Sequence, residues 1–272
     1  MIPFTCEVVQ IPARCRNVLF RFRIVTMGAF SVAAALAQSA TPEGAPKADA
    51  ASKGEVWAPV PPIVAVSPVV PPSDAIVLFS GDDLHEWASI KNPGMPAPWL
   101  VKDRTLVIQP KSGSIVTRQS FGDLQLHLEF RIPLMPDKAG QSRGNSGIFF
   151  MNLYELQILD SCDNPTYVNG QCGAFYKQSA PLVNPTRAPG EWQSYDVIWI
   201  RPRFSKNGEL IAPARGTVLL NGVLVQNNFE LWGPTLNRGR PAYKAHAAEL
   251  PIALQDHNCP VAFRNIWVRR LE

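Results

Sequence analysis

The chain has 272 residues, of which 46% are hydrophobic, and a formal net charge of +4 at pH 7. Four Arg and one Glu lie within the first 37 residues, so the rest of the chain carries a net charge of only about +1. The basic balance of the whole chain therefore gives no support for a nucleic-acid partner.

The first 37 residues have the features of an export signal. Their four Arg precede an apolar run from Ile24 to Leu36, which closes on Ala35-Leu36-Ala37, a small-residue cleavage pattern. This run is too short to span a bilayer as a mature helix. No Cys stands at the cleavage point, so a lipoprotein anchor is not indicated. We therefore expect an exported protein, periplasmic or extracellular, with no membrane anchor after cleavage.

Residues 38–72 are dominated by Ala, Pro, Val and Ser, with PVPP and VVPP a few residues apart. Such a composition favours extended polyproline geometry and predicts a linker, with a proline-rich ligand as the alternative. The remaining residues, 73–272, have the length of one domain with a sizeable core.

The predicted elements of that domain are strands. From Leu124 to Ile132, apolar residues alternate with polar ones, which is the pattern of a strand with one buried and one solvated face. Asn221-Gly222, between TVLL and VLVQ, predicts a hairpin because both turn positions need positive φ. Further strands are predicted at residues 148–150, 154–159, 195–200, 217–220, 252–254 and 261–268.

No segment of convincing length has a helical period, and Pro recurs in the connections. Short strands with turn residues between them are typical of two antiparallel sheets packed face to face. The sequence therefore predicts an all-β sandwich in which any helix is short and peripheral.

A family resemblance rests on motifs that follow one another through the domain. They are VLFSGDDLHEW, WLVKDRTL, GNSGIFF, YELQILD, GAFYKQSAPLVNPTRAPGEWQSYDVIW, TVLLNGVLV and LQDHNCPVAFRNIWVR. In this order they resemble the motifs of the 3-keto-disaccharide hydrolase family, over residues 75–272. The resemblance implies a concanavalin-like jelly-roll sandwich. It also implies cleavage of glycosides already oxidised to a ketone at carbon 3.

The chain departs from the family pattern at three turns. Arg104 stands where a Gly usually follows the Asp, Lys177 where a Gly often follows the Tyr, and Asn258-Cys259 where Gly commonly follows the His. None of these departures removes a candidate catalytic side chain.

The implied chemistry is an elimination. A ketone at carbon 3 acidifies the hydrogen on carbon 2, so a base can remove it and expel the group at carbon 1, after which water adds to the enone. The route needs a base, an acid and a group that stabilises the enolate oxygen. It does not need the closely spaced carboxylate pair of ordinary glycosidases. The alternative is a carbohydrate-binding module without catalysis, because the same sandwich also serves lectins.

The strand motif YELQILD supplies the first catalytic candidates. Glu155 and Gln157 share one face of the predicted strand, so Glu155 is either a solvated outer-face charge or part of a site on the concave face. Asp160 follows the end of the strand and is a second catalytic candidate. Gln157 is assigned to substrate binding, and Asn145 either serves the turn or binds substrate.

The C-terminal motif supplies the third catalytic candidate, His257, since imidazole exchanges protons near neutral pH. The alternative is a loop His bonded to backbone. Gln255 has matching parity and is assigned to substrate binding, as is Lys177. Arg264 either binds a keto oxygen or hydroxyls through its planar guanidinium or forms a structural salt bridge. His127 is expected at the surface, and His246 lies in a loop-like segment.

Three further hypotheses concern a metal ion, two tryptophan rings and a disulfide. A divalent metal ion could stabilise the enolate, with Glu155, Asp160 and His257 as ligands, although no short-spaced metal motif is present. Trp192 and Trp199 offer sugar-stacking faces, with core burial as the alternative for at least one. Cys162 and Cys172 flank one compact loop and predict a disulfide in an oxidising compartment, which leaves Cys259 without a partner.

Overall fold

A computed structural model describes Gly54, Val56, residues 58–67 and residues 70–271. The predicted signal peptide lies outside the described residues, as does much of the predicted linker. Residues 64–271 belong to one compact unit. Within the residues described, no helix has the length and hydrophobicity needed to cross a bilayer.

The described residues of this unit form fifteen strands, all paired antiparallel. They are β1 (Ile76–Phe79), β2 (Trp87–Ser89), β3 (Leu100–Lys102), β4 (Thr105–Val107), β5 (Ile115–Phe121), β6 (Leu124–Arg131), β7 (Ser146–Phe150), β8 (Tyr154–Ile158), β9 (Trp192–Ile200), β10 (Arg203–Phe204), β11 (Leu210–Ala212), β12 (Arg215–Leu220), β13 (Val223–Glu230), β14 (Leu250–Leu254) and β15 (Ala262–Arg270). Helical structure in the described part of the chain is limited to two 3-10 turns, Gly140–Ser142 and Val168–Gly170.

Two sheets form the sandwich. The larger has eight strands in the order β13-β12-β9-β6-β15-β4-β3, with β1 also paired to β15, and the smaller has the order β2-β5-β14-β7-β8. A separate ribbon pairs β10 with β11. Side chains from both sheets share one core, in which Trp199 of the larger sheet stacks on Phe150 of the smaller at 4.8 Å. This is the predicted all-β, concanavalin-like sandwich, and Trp199 is a core residue.

The local patterns read from the sequence are present in the fold. In β6, buried and half-buried residues alternate from Leu124 to Arg131, as the period of two predicted. Asn221 and Gly222 both have positive φ, 54° and 78°, at the turn between β12 and β13. That combination matches the right-handed twist of the flanking strands.

The three departures from the family pattern share one backbone feature. Arg104, Lys177 and Asn258 have φ values of 56°, 60° and 62°. A side chain other than Gly is disfavoured in this left-handed region, Asn least so. Glycine's freedom at positive φ explains why it is the usual residue at such turns. Two hydrogen bonds of the Arg104 guanidinium, to Asp82 and to the Ser80 carbonyl, hold its turn in place.

Candidate functional site

Strand β8 carries the polar face of the site. Tyr154, Leu156 and Ile158 enter the core, so the intervening Glu155 and Gln157 face away from it. On one side β8 pairs with β7. On the other, backbone hydrogen bonds join it to residues 173–176, including Tyr176 N to Glu155 O at 3.1 Å. Strand β8 is therefore hydrogen-bonded along both edges, which fixes the backbone that carries Glu155 and Gln157.

A small cleft of about 40 Å³ opens on this face. Its lining gathers five residues that the sequence predicted for the site together with two that it did not. They are Asn145, Glu155, Gln157, Tyr176, Asn237, Gln255 and His257. Glu155 and His257, from distant parts of the sequence, thus share one cleft. Its volume is enough for a few water-sized groups, such as hydroxyl or carbonyl oxygens at one side of a sugar.

Gln255 and His257 are brought to the cleft by the end of β14. The Gln255 amide donates to the carbonyl of Gly147 at 2.9 Å, and its own carbonyl accepts from the Ser146 hydroxyl at 2.8 Å. The turn that carries exposed His257 is anchored by Asp256, whose carboxylate accepts hydrogen bonds from the amides of Asn258 and Gly113. These hydrogen bonds fix the backbone of the turn that carries the His257 imidazole.

Glu155 is the most unusual charge-bearing group of the cleft. Only 5% of the residue is exposed, and no described residue forms a hydrogen bond or ion pair with its carboxyl group. Burial raises its pKa to about 8, against a smaller opposing effect of the Lys177 ammonium. Glu155 is therefore mostly protonated at neutral pH and can donate a proton.

Gly147 leaves the space that the Glu155 carboxyl occupies. A Cβ atom at this position would lie 2.7 Å from Glu155 Oε1 and 3.2 Å from Phe149 Cε2. A side chain at residue 147 would thus push against the carboxyl group. The carboxyl group lies over the Gly147 backbone of β7, beside an aromatic ring, which contributes to its loss of solvation.

Two amide side chains present free acceptors. Gln157 Nε2 donates to Asn145 Oδ1 and to the Ile158 carbonyl, both at 3.1 Å. Its Oε1 is buried without a hydrogen-bond partner among the described residues, and the same holds for Gln255 Oε1. A buried acceptor without a donor is unfavourable. Ligand hydroxyl groups would satisfy both, as substrate-binding roles for Gln157 and Gln255 require.

Asn145 has the predicted turn role and also lies at the cleft, where substrate binding stays a prediction. Its Nδ2 donates to the carbonyl of Gln141 at 2.8 Å, which closes the turn, while its Oδ1 orients the Gln157 amide at the cleft. It is also one of the lining residues.

The far wall of the cleft contains the two lining residues that sequence reasoning missed. Tyr176 and Tyr167 share a hydrogen bond of 2.6 Å between their hydroxyl groups. The Lys177 ammonium donates to the carbonyl of Asn237 and lies 5.2 Å from the Tyr176 ring centroid. Lys177 is not a lining residue, but its ammonium contacts two residues that are. Tyr176 could have been found from its place in GAFYKQ, whereas Asn237 lies in a loop with no distinguishing pattern.

Asp160 does not line the cleft. It is 2% exposed, and its Oδ2 lies 2.8 Å from Arg143 Nε. Its Oδ1 accepts from the Cys162 amide at 3.1 Å. Burial raises the pKa of this carboxyl, although Arg143 opposes the rise. The structure therefore gives Asp160 an ion pair that supports the loop after β8.

We expect Arg143→Met to destabilise the domain by roughly 3–5 kcal/mol, because it leaves the Asp160 charge buried without its counter-charge. Urea unfolding measures this. A matched control is Arg215→Met, which breaks an exposed pair with Glu230 and should change stability by about 1 kcal/mol or less. Equal stability of Arg143→Met and the parent protein would rule out this role for the pair.

Arg264 lies away from the cleft, on β15 of the larger sheet. Its Nη2 is 2.6 Å from Glu129 Oε2, and its guanidinium lies 4.1 Å from the Trp192 ring centroid. Of the two alternatives for this residue, the structure shows the salt bridge. One face of the Trp192 ring is therefore covered by the Arg264 guanidinium.

The other three histidines lie outside the cleft and contact protein partners. His85 is exposed and its Nδ1 lies against the Asp83 carboxylate. His127 Nδ1 is 2.7 Å from Asp196 Oδ1, and its ring stacks on Trp267. His246 Nε2 is 2.8 Å from the Tyr154 hydroxyl, and its Nδ1 donates to the carbonyl of Ala247. None of the three lines the cleft, which leaves His257 as its imidazole.

The predicted disulfide is not formed in this structure. Cys162 and Cys172 are not bonded to each other. The Cys172 thiol is fully buried and lies 3.2 Å from the Tyr195 hydroxyl. Burial raises the pKa of this thiol to about 11. A short loop in the sequence does not decide where its cysteines point, and here the thiol of Cys172 is directed into the core.

The hypothetical metal ligands are not gathered into one set. Glu155 and His257 line the cleft, whereas Asp160 is engaged by Arg143. Across the described residues, no group of three or more His, Cys, Asp and Glu side chains is arranged to hold a metal ion.

The fold is the concanavalin-like sandwich of carbohydrate-active, glycosyl hydrolase-like proteins, and its polar cleft lies on the outer face of the smaller sheet. The chain belongs to the family of 3-keto-alpha-glucoside-1,2-lyase-like domains, which matches residues 74–269. Among curated proteins, no match was found.

Two solved structures from Parabacteroides distasonis ATCC 8503, each titled a "putative glycosyl hydrolase", are similar to this chain. The first is 44% identical, has a TM-score of 0.77, and the match covers 81% of this chain and 96% of that one. The second is 20% identical with a TM-score of 0.53, covering 73% and 94% of the two chains, and supports the fold alone.

Proposed function

We propose that this protein is an enzyme that cleaves 3-keto glycosides by eliminating the substituent at carbon 1 and then hydrating the product. The observation that carries the proposal is the pairing in one cleft of a buried, largely protonated carboxyl, Glu155, with an accessible imidazole, His257. Two titratable groups in such different environments provide an acid and a base.

His257 is assigned the removal of the proton from carbon 2. The electron pair of that C–H bond forms the double bond between carbons 1 and 2, as the bond from carbon 1 to the leaving oxygen breaks. Glu155 donates its proton to that oxygen, so the leaving group departs as a neutral alcohol. The balanced products are an enone and an alcohol, with His257 protonated and Glu155 ionised.

Hydration then reverses the proton movements. Water adds its oxygen to carbon 1, the imidazolium returns a proton to carbon 2, and the proton lost by the water restores Glu155. The overall reaction is hydrolysis with retention of the ketone. Each proton transfer by a positioned side chain contributes about 10²–10⁴-fold to the rate.

The amide groups of the cleft account for binding. The unpaired Oε1 atoms of Gln157 and Gln255 accept from sugar hydroxyls, and the Lys177 ammonium at the edge of the cleft favours negative charge as it develops on the keto oxygen. The cleft lining contains one carboxyl group and not two. That composition favours elimination over the mechanism of ordinary glycosidases, which uses a carboxylate pair.

The proposal predicts that a 3-keto glucoside is cleaved while its unoxidised parent is not, since only the ketone acidifies carbon 2. Both compounds are incubated with the protein, with and without a chelator, and the released product is measured by chromatography. Equal rates on both would remove the elimination mechanism. Binding of both without turnover would instead favour a carbohydrate-binding module.

A further inference from the structure

We propose that an apolar depression beside the cleft is the subsite for the leaving group on carbon 1, and that it selects an aromatic ring. The depression has a volume of about 140 Å³ and is lined by Ile90, Ser114, Phe149, Asn152, Ala253 and Gln255. The assignment to a leaving group rests on the proposed function, whereas the binding of an aromatic ring does not.

The depression continues directly from the catalytic cleft. Gln255 lines both. Phe149 is also the register partner of Glu155 across β7 and β8, so their side chains are neighbours on the same face. Glu155 Oε1 and Phe149 Cε2 both crowd the space above Gly147. A group attached to the oxygen that Glu155 protonates would therefore extend over Phe149.

One small side chain, Ala253, lines the depression and belongs to a row of paired residues across the smaller sheet. The register places Ala88 opposite Val116, Val116 opposite Ala253, and Ala253 opposite Phe149, in one row across four strands. Ala88, Val116 and Ala253 form an apolar cluster separate from the main core, with Ile90 and Phe149 packed against it. Of these residues, Ala253, Ile90 and Phe149 line the depression, so one small side chain lies beside two larger apolar ones.

The size and polarity of the depression select its occupant. Its volume is close to the roughly 150 Å³ of apolar cavities that hold one benzene ring. Ser114 Oγ already accepts the Asp256 amide at 3.1 Å. Ile90, Phe149 and Ala253 form the apolar half of the lining, and hydroxyl groups of a second sugar directed at these three side chains would be left without partners, which is unfavourable. A flat aromatic ring can instead stack on Phe149.

The test compares phenyl and methyl 3-keto-glucosides as substrates. Phe149→Ala removes the ring, and Ala253→Met fills the depression. We expect each to lower the phenyl-to-methyl ratio of kcat/KM by about tenfold or more. A change at Glu155 that affects both substrates equally cancels in this ratio. The matched control is Ile211→Ala, which removes an exposed apolar side chain from β11 and should leave the ratio unchanged. An unchanged ratio in both cleft variants would overturn the subsite.

A binding experiment separates this inference from the proposed function. Phenyl glucoside, which carries no ketone, is titrated into the parent protein and both variants by calorimetry, with methyl glucoside as the reference. If no 3-keto glycoside is cleaved but phenyl glucoside binds more tightly than methyl glucoside only in the parent protein, the aromatic site stands and the catalytic proposal fails. If the methyl substrate is cleaved but no preference for phenyl is found, the catalytic proposal stands and the aromatic site fails. Phenol as a competitive inhibitor of the parent protein gives a third readout that needs no folded variant, and lack of inhibition would count against the site.

Discussion

Glu155→Gln and His257→Ala are each expected to lower kcat on a 3-keto glucoside by at least about 10²-fold, because each removes one proton transfer from the same transition state. The double variant should be little worse than either single variant, since the two groups act as a unit. Steady-state kinetics on purified, folded protein measures all three.

Matched controls come from exposed residues of the same types. Glu209→Gln changes an exposed carboxylate beside β11, and His85→Ala removes an exposed imidazole. Both should retain the activity of the parent protein. Near-normal turnover in the Glu155 and His257 variants would show that neither group takes part in the reaction.

Glu155→Gln is also expected to make the protein more stable at neutral pH. The folded-state pKa of Glu155, about 8, lies above its ordinary value of 4.5, so the unfolded state loses its proton first as pH rises. Its protonated form is fully compatible with the fold below pH 4.5. Between pH 4.5 and 8 the free energy of unfolding falls by about 1.4 kcal/mol per pH unit relative to a residue that does not titrate.

The expected gain of Glu155→Gln is therefore absent at pH 4, about 3 kcal/mol at pH 7 and larger at pH 8.5. Urea unfolding of the variant and the parent protein at the three pH values measures it. A difference between the two proteins that does not change with pH would contradict the shifted pKa. A variant that loses activity while gaining stability has lost a functional group, whereas loss of a structural residue lowers both.

Local features of the fold could be predicted from the sequence because they depend on neighbouring residues. The alternation from Leu124 to Ile132 determines which face of β6 is buried, and Asn221-Gly222 determines the turn between β12 and β13. The same parity places Glu155 and Gln157 on the face opposite Tyr154. In each case the period of the strand or the φ preference of the turn is sufficient.

Local patterns could not predict which candidate site residues line the cleft and which lie elsewhere. Asp160 and Glu155 belong to one motif, but Arg143, from the segment before β7, meets Asp160 and removes it from the cleft. Arg264 belongs to the same C-terminal motif as His257, yet it lies on the larger sheet while His257 follows the smaller one. A motif is continuous in sequence, whereas consecutive strands of a sandwich can belong to different sheets.

By itself, the sequence determined the all-β class, the strand faces and the residue types available for acid and base chemistry. Only the tertiary structure decided that Glu155 and His257 line one cleft, that the Cys172 thiol lies next to the Tyr195 hydroxyl, and that Phe149 is a neighbour of Glu155. The physical reason is that the burial of a side chain and the residues it contacts depend on which strands pair. Burial in turn sets the protonation of Glu155, which no local pattern specifies.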